Sequence, residues 1–234
     1  MEQVNPIVAM LTDFGDRLGY VGQMKGVMVS INPNLSIMDN SHSVEAQAIA
    51  EGEMILEQSI KYYPKGCIHL VVVDPGVGSS RRGVVVETED AWFVGPDNGL
   101  FGFLDHLGIA YKAYELTNPA YQLKNLSSTF HGRHVFAPAA AHLTLGVRPE
   151  QFGDPVEKLH HLTICRGERE GQELVGEVVA IDQFGNLITT INRDDLTVFQ
   201  DEFPEKSLIA LCRGETIPVG LTFTDVKAHE LISY

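Results

Sequence analysis

The stretch Val71–Gly83, VVVDPGVGSSRRG, sets a β-branched apolar run against a carboxylate, a Pro-Gly-x-Gly turn and two adjacent arginines. Three successive valines fit a buried strand. Pro75 and Gly76 stop it, because proline has no N–H for the ladder and glycine tolerates a sharp turn. The strand therefore ends on Asp74. Arg81 follows far enough along for the loop to fold back and pair a guanidinium with that carboxylate. Such a pair would keep the aspartate ionised and fix its orientation. The glycines of the turn also let backbone N–H groups approach a ligand.

Outward from this point, the first two-thirds of the chain alternate between strand and helix patterns. Ile7–Thr12 is an apolar strand ending at Asp13 in LTDFGD. Gly19–Asn32 carries Val21, Met24, Val27, Met28 and Ile31 at helical spacing, and Pro33 closes it. Ser36–Asp39 is predicted as a strand, Val44–Tyr63 as a helix, and Cys67–Val73, Gly83–Glu87 and Ala91–Val94 as strands. Phe136–Leu145 reads as an alanine-rich helix. This alternation predicts an α/β domain over residues 1–165, with a central sheet flanked by helices. Residues 166–173, RGEREGQE, are charged and glycine-containing and are predicted as a linker. Residues 174–234 hold short strand candidates between turn residues, which predicts a smaller all-β, barrel-like domain.

In open α/β sheets ligands bind beyond the carboxyl ends of the strands. Asp13 and Asp74 both stand at such ends before glycine-rich turns, although either alone could simply cap its turn. GPDNG at Gly95–Gly99 is a further tight turn with no role assigned. In SSTFHGRHVFAPAAA (Ser127–Ala141), His131 precedes a helix, where an imidazole can act as base or relay or can be merely structural. His131 and His134 also make an H-x-x-H spacing that, with Asp74, leaves a metal reading open. In IDQFGNL (Ile181–Leu187), Asp182 and Asn186 flank an aromatic and a glycine, a shape suited to a flat heterocycle or to an ordinary turn.

Composition narrows the classes. Of 234 residues, 44% are hydrophobic and 21% charged, and the formal net charge of −14 argues against a surface built for nucleic acid or anionic lipid. Cys67, Cys165 and Cys212 are scattered, which suggests a reducing compartment rather than a disulfide framework or zinc site. No signal-peptide pattern or membrane-length apolar run occurs, so a cytoplasmic protein is expected.

The segments LTDFG with YVGQMKGV, VVDPGVGSSRR, FVGPDNGLF, STFHGR with FAPAAA, and DQFGNLITTI together resemble the S-adenosyl-L-methionine hydroxide adenosyltransferases, relatives of fluorinase and chlorinase. The resemblance implies an α/β domain and a C-terminal β-barrel, assembled as a homotrimer with substrate between neighbouring subunits. It implies hydrolysis of S-adenosylmethionine to adenosine and methionine without metal or organic cofactor. Carried over by position, the water-activating set falls on Asp74, Arg81 and His131. Asp13 falls on the ribose-binding carboxylate and Asn186 on the adenine-binding amide. Phe14, Phe130 and Phe184 fall on the adenosine pocket, and Asp182 on a neighbouring carboxylate. The chain ends at Tyr234, short of the family's usual extent, so a C-terminally short barrel is expected. The competing expectations are a binding module with little turnover, a halide-using adenosyl transferase, and a metal hydrolase using His131, His134 and Asp74.

Overall fold

The computed structural model describes residues 5–220, 225 and 232–233. Its first unit is organised by a seven-stranded sheet. The strands are β1 (Ile7–Thr12), β2 (Ser36–Ser41), β3 (Cys67–Val72), β4 (Gly83–Glu87), β5 (Ala91–Pro96), β6 (Lys112–Glu115) and β7 (Pro155–Val156), in the spatial order β2-β1-β3-β5-β4-β6-β7. β2, β1, β3 and β5 are mutually parallel, whereas β4, β6 and β7 pair antiparallel. Helices α1 (Tyr20–Ile31), α2 (Ile49–Ile60), α3 (Phe103–His106) and α4 (Ala137–Thr144) cover the two faces.

The consecutive apolar residues of the parallel strands follow from this layering, since each face of the sheet needs its own set. Val8 and Met10 of β1, with Ile68, Leu70 and Val72 of β3, pack with Met24 and Met28 of α1 and the alanines of α4. Leu11, Val71 and Val73 point the other way, into a second cluster with Leu56 of α2 and Phe103 and Leu104 of α3. The chain leaves β1 toward β2 on one side, then crosses to β3 on the other. The crevice beyond the carboxyl ends of β1 and β3 is therefore the topological switch point, the usual ligand position in such sheets.

Several boundaries differ from the sequence pattern. The helix expected from Val44 begins at Ile49, because residues 44–48 form a loop in which Gln47 takes φ 67° and donates its N–H to Asp13. β6 and β7 are too short to announce themselves by alternation. The helix expected at Phe136 is entered through a π-helical turn, Gly132–Phe136. Pro138 has no N–H to offer the carbonyl of His134, and that carbonyl accepts instead from Leu123 N–H at 2.9 Å.

The chain divides into compact units at Met1–Thr163 and Ile164–Tyr234. The second contains β8 (Glu168–Glu170), β9 (Glu173–Val175), β10 (Val178–Ile181), β11 (Leu187–Thr189), α5 (Arg193–Glu202), β12 (Ile209–Cys212) and β13 (Glu215–Pro218). Its strands form three two-stranded antiparallel sheets. Two expectations are corrected. Residues 166–173 are not a plain linker but carry β8 and the hairpin turn at Gly171, their charge being that of an exposed hairpin. Nor is the unit all-β. Asn192 and Asp195 cap α5 reciprocally, each side chain accepting the other's N–H at 2.9 Å, and Phe199 meets Phe203 one turn on. The expected shortening of the barrel concerns residues 221–234, most of which lie outside the described residues.

His69 of β3 makes a testable demand on this fold. It is buried, stacked on Phe93 with ring centroids 5.3 Å apart, and its Nε2 has no hydrogen-bond partner among the described residues. Burial pushes its pKa down to about 4. Between there and the ordinary value near 6.5, the unfolded chain takes up a proton that the folded chain refuses. Stability is therefore complete above pH 6.5 and falls with acidification, by about 3 kcal/mol at pH 4. Urea titrations at pH 7 and pH 4 are expected to show that loss in the parent and a smaller one in His69→Phe.

Candidate active site

Parallel pairing aligns Thr12 of β1 with Val72 of β3, so Asp13 and Asp74 emerge from adjacent strand ends at the switch point. The Asp74 side chain is 5% exposed and that of Arg81 10%. Arg81 Nε donates to Asp74 Oδ1 at 2.8 Å, and its Nη2 donates both to Asp74 Oδ2 and to His131 Nδ1, the latter at 2.9 Å. The guanidinium lies 5.2 Å from the centroid of the Phe136 ring. The two groups thus satisfy each other out of water, as a buried charge pair must.

The glycine turn makes this return possible. Gly78 has φ +80°, and a Cβ there would lie 2.6 Å from the carbonyl oxygen of Ser128. Only glycine lets residues 75–80 press against the loop that carries His131. Ser79 Oγ donates to the Gly76 carbonyl at 2.7 Å and accepts Arg81 N–H at 3.2 Å, which closes the turn. The GPDNG turn also contributes, although its sequence pattern alone gave it no role. Asn98 Nδ2 donates to the Val73 carbonyl at 2.9 Å, directly before Asp74. Asp97 pairs with Arg82 and accepts His160 N–H at 2.7 Å.

The Arg81 contact fixes the His131 tautomer. A guanidinium only donates, so Nδ1 must accept, and the neutral ring carries its proton on Nε2. Burial, reinforced by the Arg81 charge, lowers the His131 pKa, with Asp74 working against the shift. His134, by contrast, accepts from Arg133 Nη2 through Nε2 at 2.7 Å. No group of three or more His, Cys, Asp or Glu side chains among the described residues is placed to hold a metal ion.

Beside this trio, Asp13 Oδ2 accepts Gln47 N–H at 2.9 Å. Phe14, Phe130 and Tyr20 form an edge-to-face cluster with centroids 5.4–6.0 Å apart, and Arg133 lies over the Phe130 ring at 4.8 Å. The sequence pattern by itself assigns no role to Tyr20 or Arg133. The remaining candidates lie in the second unit, on the turn joining β10 and β11. Asp182 Oδ1 accepts the N–H groups of Phe184 and Asn186, and its Oδ2 accepts Asn186 Nδ2 at 2.7 Å. Those bonds, the Asn186 amide first, lower the Asp182 pKa. Asp182 thus organises the turn, while Phe184 stands 81% exposed at its tip.

Residues 8–153 match the model of the SAM hydroxide adenosyltransferase N-terminal domain, and residues 176–234 that of the C-terminal domain. The chain belongs to the SAM hydroxide adenosyltransferase family. It is 37% identical to the (R)-S-adenosyl-L-methionine hydrolase of Thermus thermophilus, over 97% of this chain and 87% of that one. A hydrolase of the same name from Methanocaldococcus jannaschii is 35% identical over 84% of this chain and 71% of its own. The fluorinase of Nocardia brasiliensis is 28% identical, over 94% and 83% respectively. A crystal structure of a conserved protein from Thermotoga maritima superposes with a TM-score of 0.84 at 34% identity, covering 96% of this chain and 87% of that one. No helix among the described residues of this family member is long and apolar enough to cross a membrane.

Arg81 is expected to govern the His131 titration in this SAM hydroxide adenosyltransferase. Histidine resonances followed by NMR should show His131 titrating below its ordinary value. In Arg81→Gln, where the cation is gone and Asp74 remains, the titration should move upward. An unchanged midpoint would contradict the contact.

Proposed function

We propose that this chain hydrolyses S-adenosyl-L-methionine, with water attacking the ribose C5′ carbon to give adenosine and methionine. The observation that carries the reading is the Asp74–Arg81–His131 constellation at the switch point of a chain so similar to named hydrolases. In the reaction the water oxygen bonds to C5′, and the C5′–S bond breaks with its electron pair going to sulfur. Methionine leaves as a neutral thioether and needs no general acid. The chemical demand therefore falls on orienting water and removing its proton.

The tautomer divides that work. With Nδ1 engaged by Arg81, His131 presents Nε2–H and donates to a lone pair of the water. It orients the nucleophile without deprotonating it. Asp74 spends one lone pair of each oxygen on Arg81 and retains others, so it accepts the proton as the C–O bond forms. A weak base suffices because the leaving group is already activated by its positive charge. Asp13 holds the ribose hydroxyls, the cluster of Phe14 and Phe130 lines the adenosine pocket, and Phe184 and Asn186 receive the adenine, with Asp182 bracing Asn186. A carboxylate at the nucleophile position repels halide and favours water. Neither metal nor organic cofactor takes part.

The relatives' names specify the (R) epimer at sulfur, and we extend that preference to this chain. We further infer a homotrimer in which the second unit, completing a barrel-like fold, serves the first unit of a neighbouring copy. The exposed Phe184, with Ile181 also exposed beside it, supports this, because both are costly to leave in water. Light scattering on the purified chain should return three times the chain mass.

The deciding assay incubates the chain with S-adenosylmethionine in ¹⁸O-water, with and without chloride and chelator. Adenosine labelled at O5′, plus methionine, is expected under every condition. Asp74→Asn should lower kcat by roughly 10²–10⁴ with substrate binding kept. Bound but unreacted substrate would favour a binding module, chlorinated product a halogenase, and inhibition by chelator a metal enzyme.

A further inference from the structure

The turn that carries Asp13 and Phe14 is held from outside by one side chain that takes no part in the chemistry above. His42, in the loop after β2, is buried, with Thr12 wholly so beside it. Its carbonyl accepts Gly15 N–H at 2.7 Å. Its Nδ1 lies 2.9 Å from Thr12 Oγ1, which in turn accepts Phe14 N–H at 3.3 Å. On the other side of the ring, Nε2 lies 2.9 Å from Asp39 Oδ1, and Asp39 Oδ2 accepts Lys25 Nζ at 2.7 Å. A carboxylate only accepts, so the ring proton sits on Nε2. In the neutral ring Nδ1 accepts the Thr12 hydroxyl hydrogen, leaving that oxygen to take Phe14 N–H. Every polar group from Lys25 to Phe14 has a defined direction. Burial acts to raise the Asp39 pKa, but hydrogen bonds from Lys25 and His42 outweigh it and hold the carboxylate below its usual range. The charged end of the relay is thereby kept an acceptor.

We infer that His42 is a positioning residue for nucleoside recognition, aligning the Thr12–Gly15 turn so that the Asp13 carboxylate meets the 2′,3′-diol. The geometry that argues for this is two-sided. The His42 main chain holds Gly15, and its side chain holds Thr12, whose hydroxyl in turn takes Phe14 N–H, so Asp13 is bracketed. The same loop reaches Asp13 itself, through Gln47 N–H on Oδ2, which fixes the carboxylate and leaves lone pairs on both oxygens for the ribose hydroxyls. Removing the His42 ring frees the Thr12 hydroxyl to rotate and loosens the turn on one side.

This inference rests on the assignment of Asp13 to the ribose diol, and the test separates the two. Calorimetry would measure adenosine and 2′,3′-dideoxyadenosine binding to the full chain. The parent should prefer adenosine by roughly tenfold or more, the yield of charge-assisted bonds to two hydroxyls. Asp13→Ala should abolish the preference. His42→Ala should reduce it to about threefold or less without weakening the dideoxy ligand, and should add nothing to Asp13→Ala. His42→Asn keeps an acceptor where Nδ1 stood and should retain the preference, whereas His42→Gln, which reaches only toward Asp39, should lose it. That pair carries the test if His42→Ala does not fold. A full preference in His42→Ala or His42→Gln overturns the positioning role and leaves Asp13 in place. Equal weakening of both ligands overturns it in favour of a general structural role. A parent that does not distinguish the ligands removes the Asp13 assignment, and the inference with it.

Discussion

One guanidinium holds the centre of this molecule together. Asp74 stands at the end of a strand buried on both faces, where an unpaired carboxylate would carry a heavy desolvation cost. Arg81 answers it with two parallel N–H···O bonds, but a guanidinium buried to the same depth needs its own surroundings. Phe136 supplies a ring face and His131 an acceptor. Much of the local backbone follows from that requirement. The loop after β3 must turn within a few residues, Gly78 must pass close to Ser128, and the chain must enter α4 through a π-helical turn that leaves His131 at its start. Such turns are rare and cluster at working sites, because they aim a side chain that a regular helix would not.

The same economy explains why the site sits where it does. A sheet filled from both sides by methionines, valines and alanines leaves little room for ionised groups among the strands. They collect where β1 and β3 diverge. Asp13 and Asp74 are consequences of one register, set by the pairing of Thr12 with Val72, and a slip of one residue would turn each toward the wrong layer. Packing of the two cores and placement of the two carboxylates are thus a single constraint.

This dependence on register and contact also divides what was legible in the sequence from what was not. The β3 run, its stop at Pro75 and the return of Arg81 are local patterns, and both the strand and the ion pair stand where they indicated. His131 was visible only as a histidine before a helix. Its tautomer depends on a partner fifty positions away and could not be seen. Asn98, Gln47 and His42 act through contacts of 25, 34 and 30 positions, and their types are ordinary for turns and loops. In the second unit the error had a different source. Leu196, Phe199 and Phe203 do recur at helical spacing after an Asn-Arg-Asp-Asp start, but the strongly polar residues between them masked the pattern.

The Asp74–Arg81 pair also bears on which substrates the proposed reaction admits. S-adenosylmethionine carries its positive charge on the sulfur that leaves, beside the carbon that is attacked. A guanidinium alone at that place would repel the substrate and collect anions. A carboxylate alone would attract the sulfonium, yet at this depth it would bear the full cost of desolvation. Joined bidentately, the two are neutral at a distance and directional at close range. In the proposed reaction they would offer no field to hold a halide, no net repulsion toward the sulfonium, and a fixed acceptor for the one proton that water must lose. As the positive charge on sulfur disappears along the reaction path, a neutral and water-poor surround favours the transition state over the charged ground state. In the proposed reaction, pairing would therefore serve selectivity and rate together, because both would draw on the same balanced and directional acceptor.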